Sequence, residues 1–348
     1  MSSVALGLLA LAPWTAHAGS MDVALERLVE DPSCRTPEGQ IVPGAATCQA
    51  DEVAFKRLVN QYAMAIAPTA MYPAHTTGYG GFEIAIEGAF TQIDSSQDYW
   101  QRGTRGGSDP SSGQAATTNA SPASLMQMYS LRLRKGFGLG FEVGSQFGFL
   151  VDTSVVAGGV DVRWAVLENL GVLPDLAFGG AVRTLTGTPQ IQLTVPTVEA
   201  VLSKRFTLFG SGRLTPWVGF QYLFLIGNSG AIDFTPATDA QQYCNYIGNN
   251  QAGGPAQPPG TAGRDGMPVC QGGVPTDFAN THVFTPVRLE RRRLFAGANY
   301  QYEILQVGAQ VSFDLGSPAD AQNDEADRRD LANQPSQLVF ALQLGAVF

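Results

Sequence analysis

From about residue 80 to its end the chain alternates apolar and polar positions with a period of two, the pattern of strands whose two faces meet different surroundings. In the first such segment Phe82, Ile84, Ile86, Gly88 and Phe90 share one face, and Glu83, Ala85, Glu87, Ala89 and Thr91 share the other. A second sets Tyr129, Leu131 and Leu133 against Ser130, Arg132 and Arg134; a third sets Phe141, Val143, Phe147 and Phe149 against Gly140, Glu142, Gly144, Gln146 and Gly148. The fourth opposes Val156, Val160, Val162, Trp164 and Val166 to Ala157, Gly159, Asp161, Arg163 and Ala165. The fifth opposes Leu176, Phe178 and Val182 to Asp175, Ala177, Gly179, Ala181 and Arg183. A sixth falls within 193–206, where Pro196 is expected to shift the phase through a bulge or a strand edge. The seventh, 214–226, carries Val218, Phe220, Tyr222 and Phe224 on one face, with Leu223 and Leu225 making the other face apolar at its end. The eighth, 287–300, loses its alternation around Arg291 to Arg293. The ninth places Leu305, Val307, Ala309, Val311, Phe313 and Leu315 together, and the tenth Leu338, Phe340, Leu342, Leu344, Ala346 and Phe348.

The links between these segments alternate in length. Long polar links occupy 94–123, 227–284 and 316–336, with moderate ones at 150–154 and 185–190; short ones fall at 135–138, 167–173, 207–213 and 300–303. The expectation is an all-β, antiparallel barrel of about ten strands, with long loops at one end and tight turns at the other, and with both termini on the turn side. The composition of the second face decides what surrounds it. Gly, Ala, Ser and Gln with isolated charges of both signs suit an enclosed lumen better than an open solvated face, and buried charges must pair. Glu83, Glu87, Arg132, Arg134, Glu142, Asp161, Arg163, Asp175, Arg183 and Glu199 are therefore expected to form a lumenal network. The apolar face then meets hydrocarbon, where a strand-built protein must close so that no backbone group is left unpaired. Phe90, Tyr129, Phe149, Trp164, Phe206, Trp217, Tyr300, Tyr302 and Phe313, near strand ends, are expected in two interfacial girdles.

Composition sharpens this picture. Gly is 40 of 348 residues, above the usual ~7%, and charged residues are 15% against the ~25% of ordinary soluble domains. With 30 acids against 21 bases and a net charge of −9, no basic stripe is available for nucleic acid. Beyond the first twenty residues there is no apolar run long enough for a transmembrane helix. Residues 1–18, an apolar stretch ending in Ala16-His17-Ala18, have the form of a secretory signal peptide, although Met1-Ser2-Ser3 lacks the usual basic side chain. Residues 19–75 follow a helical period instead. A short helix is expected around Val23, Leu25, Leu28 and Val29, and a second opens at Asp51-Glu52 and carries Val53, Phe55, Leu58, Val59, Tyr62 and Ile66 up to Pro68. This unit is expected to cap the turn end from the periplasm or to plug the barrel, which then spans 76–348. Cys34 with Cys48, and Cys244 with Cys270, lie in Pro/Gly-rich segments and are expected to form two local disulfides. No metal or cofactor motif is present.

The signal-like start, the ten alternating segments and the ending Gln337-Leu-Val-Phe-Ala-Leu-Gln-Leu-Gly-Ala-Val-Phe348 together resemble bacterial outer-membrane β-barrel proteins, with no narrower family matched. The resemblance implies the outer membrane of a Gram-negative envelope, contact with its lipid and lipopolysaccharide, and recognition of the last strand and Phe348 by the barrel assembly machinery. The barrel architecture itself points to a porin-like role in passage of small solutes or hydrophobic ligands; the alternative is a non-conducting anchor that displays loops and docks a periplasmic or surface protein. An outer-rim hydrolase ranks below both, because such chemistry needs His with Asp or Ser near the rim. Of His17, His75 and His282 only the last is placed there, beside Asp277 and Thr281, so no enzyme is expected. The acidic run 320–330 is expected to be a solvated loop, within reach of cations that bridge lipopolysaccharide.

Overall fold

A computed structural model describes residues 19–34, 49–107, 118–208, 210–234, 244–246, 268–270 and 281–348. Ten antiparallel strands form one closed sheet: β1 Phe82–Gln92, β2 Leu125–Gly136, β3 Phe141–Leu150, β4 Val156–Leu167, β5 Asp175–Thr186, β6 Ile191–Ser203, β7 Gly212–Ser229, β8 Val287–Tyr302, β9 Leu305–Asp314 and β10 Leu338–Val347. Each pairs with its sequence neighbours, and β10 pairs back onto β1. Closure leaves no long edge, and an even strand number places the start of β1 and the end of β10 together at the turn end.

Along each strand, burial alternates with the polarity of the side chain. On β3 Phe141, Val143, Phe147 and Phe149 are exposed, while Glu142, Gly144, Gln146 and Gly148 are buried. The outer surface is a belt of apolar side chains, among them Ile86 and Phe147, each 62% exposed, with Leu131, Val160, Phe178 and Leu342. Aromatics edge this belt at both ends: Tyr129, Phe149 and Phe313 near the loops, Phe141, Trp164, Tyr300 and Tyr302 near the turns. Trp217 departs from the expected girdle. It is buried, points into the bore and donates its indole N–H to Gln310 Oε1 at 2.9 Å, because it shares strand parity with Thr215 and Gln221.

Two other strands differ from the sequence reading. Pro196 does not shift the phase of β6, which alternates from Ile191 to Ser203 with one register on either side of the proline. Pro196 points outward, so only the ladder bond it cannot donate is missing, and the strand runs on. Nor does β8 lose its alternation: Val287, Leu289, Arg291, Arg293 and Phe295 are buried and Arg288, Arg292 and Ala296 exposed. Polarity fails as a guide there because the loop-end part of the bore is apolar, while the outer face of β8 is polar. Outside, Arg292 lies 5.6 Å from the Tyr222 ring, and the Tyr222 hydroxyl donates to Glu290.

The amino-terminal segment occupies the bore. Its first described residues sit at the loop end rather than beside the barrel's termini: Met21 N–H donates to Asp152 O, and Asp22 accepts from Ser154 N–H at 2.6 Å. The expected first helix is a single 3-10 turn, Leu25–Arg27. Asp51 then caps α1, Glu52–Ile66, by accepting from Ala54 N–H at 2.8 Å. Phe55, Leu58, Val59, Tyr62, Ala63, Met64, Ala65 and Ile66 are all buried, so this helix needs apolar neighbours on nearly every side. Past Pro68 the chain descends through the barrel without regular structure, with Ala70 at a φ of 52°, leaves at Thr76–Thr77 and turns through Gly78–Gly81 into β1.

The loops close over the loop end. Helix α2, Asp98–Gly103, and helix α3, Glu325–Asp330, pack against α1, and Phe284 stacks on Phe55 at 4.5 Å between ring centroids. The run 320–330 is folded rather than loose: Ser317 and Asp320 form a capping box, Asp324 caps α3, and Asp327 and Asp330 bind Lys56.

Candidate functional site

The bore is the candidate site. Strand parity aims a polar set inward, and register sets it in oblique rows. One row of directly paired residues runs Asp314, Arg293, Gln221, Glu199, Gly179, Arg163 and Glu142, across seven strands from the loop end to the turn end. A second runs Arg183, Gly159, Gln146 and Arg132; a third runs Asp161, Gly144, Arg134 and Glu83. The glycines in these rows make room for the charges. A Cβ on Gly144 would overlap the Asp161 carboxylate, and one on Gly179 would overlap the Glu199 carboxylate. Six buried strand arginines face seven buried strand carboxylates, so the bore is close to neutral.

The structure brings seven of the ten anticipated residues into ion pairs. Arg134 pairs with Glu83 at 2.8 Å and with Glu142; Arg132 pairs with Asp161 at 3.1 Å and Glu87 at 3.4 Å. Arg163 stands 3.8 Å from Glu142 and donates to Pro73 O at 2.5 Å. Three others are buried but bind neutral partners. Asp175 accepts from Asn169 N–H, Arg183 donates to Gln146, and Glu199 accepts from Gln221 at 2.7 Å and from the Tyr72 hydroxyl at 2.8 Å.

Tyr72, from the amino-terminal segment, is the centre that sequence reasoning missed. Its ring lies under three guanidinium groups, with Arg163 at 4.0 Å, Arg132 at 4.4 Å and Arg134 at 4.7 Å from its centroid. Desolvated cation–π contacts of this kind contribute about 2 kcal/mol or more. Neighbouring backbone is held by the wall: Pro68 O accepts from Arg293, Thr69 donates to Glu87, Thr69 O accepts from Gln310, and Thr77 N–H donates to Glu142 at 2.9 Å. Arg291 and Arg293 were also missed. Arg291 binds Asp314 and donates to Asn60 of α1 at 2.7 Å. A triple arginine run on a strand whose outer face is itself polar gave no contrast from which to find them.

At the turn end the filling is incomplete. A cavity of about 270 Å³ lies between residues 73–78 and the wall, lined among others by His75, Thr77, Arg134, Arg205, Arg213 and Gln301. At the loop end His282 is engaged structurally: its Nε2 lies 2.8 Å from Glu52, and its ring packs against Phe234 and Phe284. Asp277 lies outside the described residues, as do residues 1–18 and Cys48. Cys34 is buried and disulfide-bonded, and backbone pairing sets Cys244 directly opposite Cys270. Among the described residues no group of three or more His, Cys, Asp or Glu is placed to hold a metal ion.

No protein-family model matches the chain, and no curated protein matches it in sequence. Its fold is similar to solved outer-membrane barrels at low identity. The attachment invasion locus protein Ail of Yersinia pestis is 11% identical with a TM-score of 0.24, the match covering 78% of this chain and 99% of that one. The outer membrane protein OprG from Pseudomonas aeruginosa is 11% identical with a TM-score of 0.27, covering 80% and 99%. The translocator domain of the autotransporter NalP from Neisseria meningitidis is 9% identical with a TM-score of 0.33, covering 78% and 89%. At such scores the likeness adds no argument to the barrel topology described above.

Proposed function

We propose that the chain is an integral outer-membrane β-barrel, held closed by its own residues 52–77, that serves as a non-conducting anchor presenting its loop-end surface. The filled bore carries this reading: residues 68–77, which follow α1, bond to inward side chains on seven of the ten strands or their ends, at Glu87, Glu142, Arg163, Glu168, Ser203, Gln221, Arg293 and Gln310. The apolar belt and the closed ladder support residence in a bilayer, since an exposed apolar surface this continuous is untenable in water.

In the usual orientation of such barrels the long loops face outward and the short turns face the periplasm. Removal of the signal peptide 1–18 then leaves Gly19 at the outer face, since its neighbours Met21 and Asp22 bond to the 150–154 loop. The outer surface meets lipid and lipopolysaccharide, and the exposed Phe348 at the turn end is the feature that the assembly machinery reads. In that oxidising compartment Cys34 pairs with Cys48, and Cys244 with Cys270. No catalytic role is assigned to His282, which is committed to Glu52 and two aromatic rings.

Small-solute passage is the second reading, favoured by the turn-end cavity between the segment and the wall. Planar-bilayer recording on refolded, heat-modifiable protein separates the two. The intact chain is expected to give no stable conductance steps. Regular steps from the intact chain would overturn the anchor reading and favour transport.

A further inference from the structure

The turn-end cavity has a chemical character that neither closure nor anchoring requires. Its acids already accept hydrogen bonds, while two of its cations make none among the described residues, although the charges of Asp175 and Glu168 act on one of them, Arg205. Glu83 binds Arg134 at 2.8 Å, and both oxygens of Glu168 accept from Thr76 at 3.1–3.2 Å. Arg134 is held in turn by Glu83 and Glu142. Arg205, in the β6–β7 turn, and Arg213, at the start of β7, line the same cavity, and neither has a hydrogen bond or ion pair among the described residues. The turn that carries Arg205 is itself fixed, because Lys204 donates to Gly171 O at 2.5 Å and to Leu173 O at 2.7 Å.

Two further groups facing this space lack partners. His75 Nδ1 and Thr77 Oγ1 are buried without a hydrogen-bond partner among the described residues, and both residues line the cavity. Leaving a buried polar atom unpaired costs about 1–3 kcal/mol, a cost that a ligand offering the complementary group would remove. The opposite wall supplies amides from Asn299, Gln301 and Gln306, and among the described residues the lining contains no Phe, Tyr or Trp. An apolar ligand therefore finds little to pack against. At about 270 Å³ the space is below the range for drug-sized ligands, which limits the occupant to something small.

We propose that this cavity is a binding site for a small hydrophilic anion bearing phosphate or carboxylate groups, with Arg205 and Arg213 as its charged anchors and His75 and Thr77 as its polar floor. Paired guanidinium groups are the side chains best suited to such oxyanions, since each presents a planar fork of donors. The site does not depend on whether the barrel conducts, so its test stands apart from the bilayer recording.

The experiment is isothermal titration of the refolded full chain in detergent at low salt, with pyrophosphate in one series and citrate in another. One-to-one binding of at least one anion is expected. The double variant Arg205→Gln/Arg213→Gln should weaken it by about tenfold or more, the scale of losing charge-assisted hydrogen bonds. Arg288→Gln/Arg292→Gln removes the same charge from the outer face at the other end and should leave binding within about twofold. Heat modifiability on gels verifies that both variants fold. No binding of either anion overturns the proposal. Equal weakening by the two double variants also overturns it, because the attraction would then be that of net charge alone.

Discussion

The two halves of the bore are filled by different physics, although the same ten strands build both. Toward the loops the inward side chains are Met126, Met128, Leu150, Leu185, Leu193, Val195, Leu223, Leu225 and Leu289, and they meet Phe55, Leu58, Val59 and Tyr62 of α1 as in a soluble core. Toward the turns they are Arg132, Arg134, Glu142, Asp161, Arg163 and Glu199, arranged around a single ring, Tyr72. The apolar half excludes water by area and shape. The charged half has to satisfy each group individually, and it does so incompletely: Nε of Arg132, Nε and Nη1 of Arg163, and Nη1 of Arg293 have no hydrogen-bond partner among the described residues. An apolar core tolerates any side chain of suitable volume, whereas a charge lattice tolerates few replacements.

The largest effect should follow from breaking the charge lattice. Arg134→Met leaves Glu83 buried without its cation and Glu142 with only the more distant Arg163, and is expected to cost about 3–5 kcal/mol, read as a lower midpoint of urea unfolding in lipid vesicles. Restoring neutrality with Glu83→Gln and Glu142→Gln in the same chain should recover most of that loss. A single Arg134→Met variant as stable as the parent would erase the distinction between the two halves.

The apolar half should respond to volume instead. Leu58→Ala, at a fully buried position in α1, is expected to cost about 2–5 kcal/mol by the same measurement, and Leu58→Met less than about 1.5 kcal/mol. If methionine proved as damaging as alanine, the loop-end half would be a specific jigsaw rather than a core of adequate volume.

The same contrast explains what the sequence made legible. A period of two tells which side chains share a face, and the uneven links tell which strand ends lie together, so a closed antiparallel sheet of about ten strands is visible in the chain alone. Register is not local information. That Arg163 stands opposite Glu142, or that Gly144 yields its space to Asp161, depends on a pairing offset that neither strand encodes by itself. Tyr72 lies between Pro68 and Pro73 in no regular element, so no periodicity could single it out. Trp217 misled because an aromatic near a strand end suits a girdle and a bore equally well; parity with Gln221, rather than residue type, decides its direction. The path of residues 19–77 was hidden for a related reason. A helical period shows that α1 needs apolar surroundings, but not that the barrel's own loop-end interior supplies them.

The smallest effect tests where the loop-end core stops. Lys56 projects from α1 toward the 316–336 loop and binds Asp327 at 2.7 Å and Asp330 at 2.5 Å, with all three side chains partly exposed. Partial burial pulls its pKa down, but the hydrogen bonds and charges of Asp327 and Asp330 outweigh that and leave it above the ordinary lysine value. The contribution is therefore fully present below the unfolded lysine pKa and fades as pH rises through the higher folded one, so neutral and mildly alkaline solutions should not differ. Pairs this exposed contribute at most about 1 kcal/mol, and salt weakens them further. Lys56→Met should accordingly leave the global unfolding midpoint nearly unchanged while speeding amide hydrogen exchange in α3, and added salt should narrow the difference between variant and parent. A large drop in global stability would mean that the 316–336 loop belongs to the core rather than resting on it.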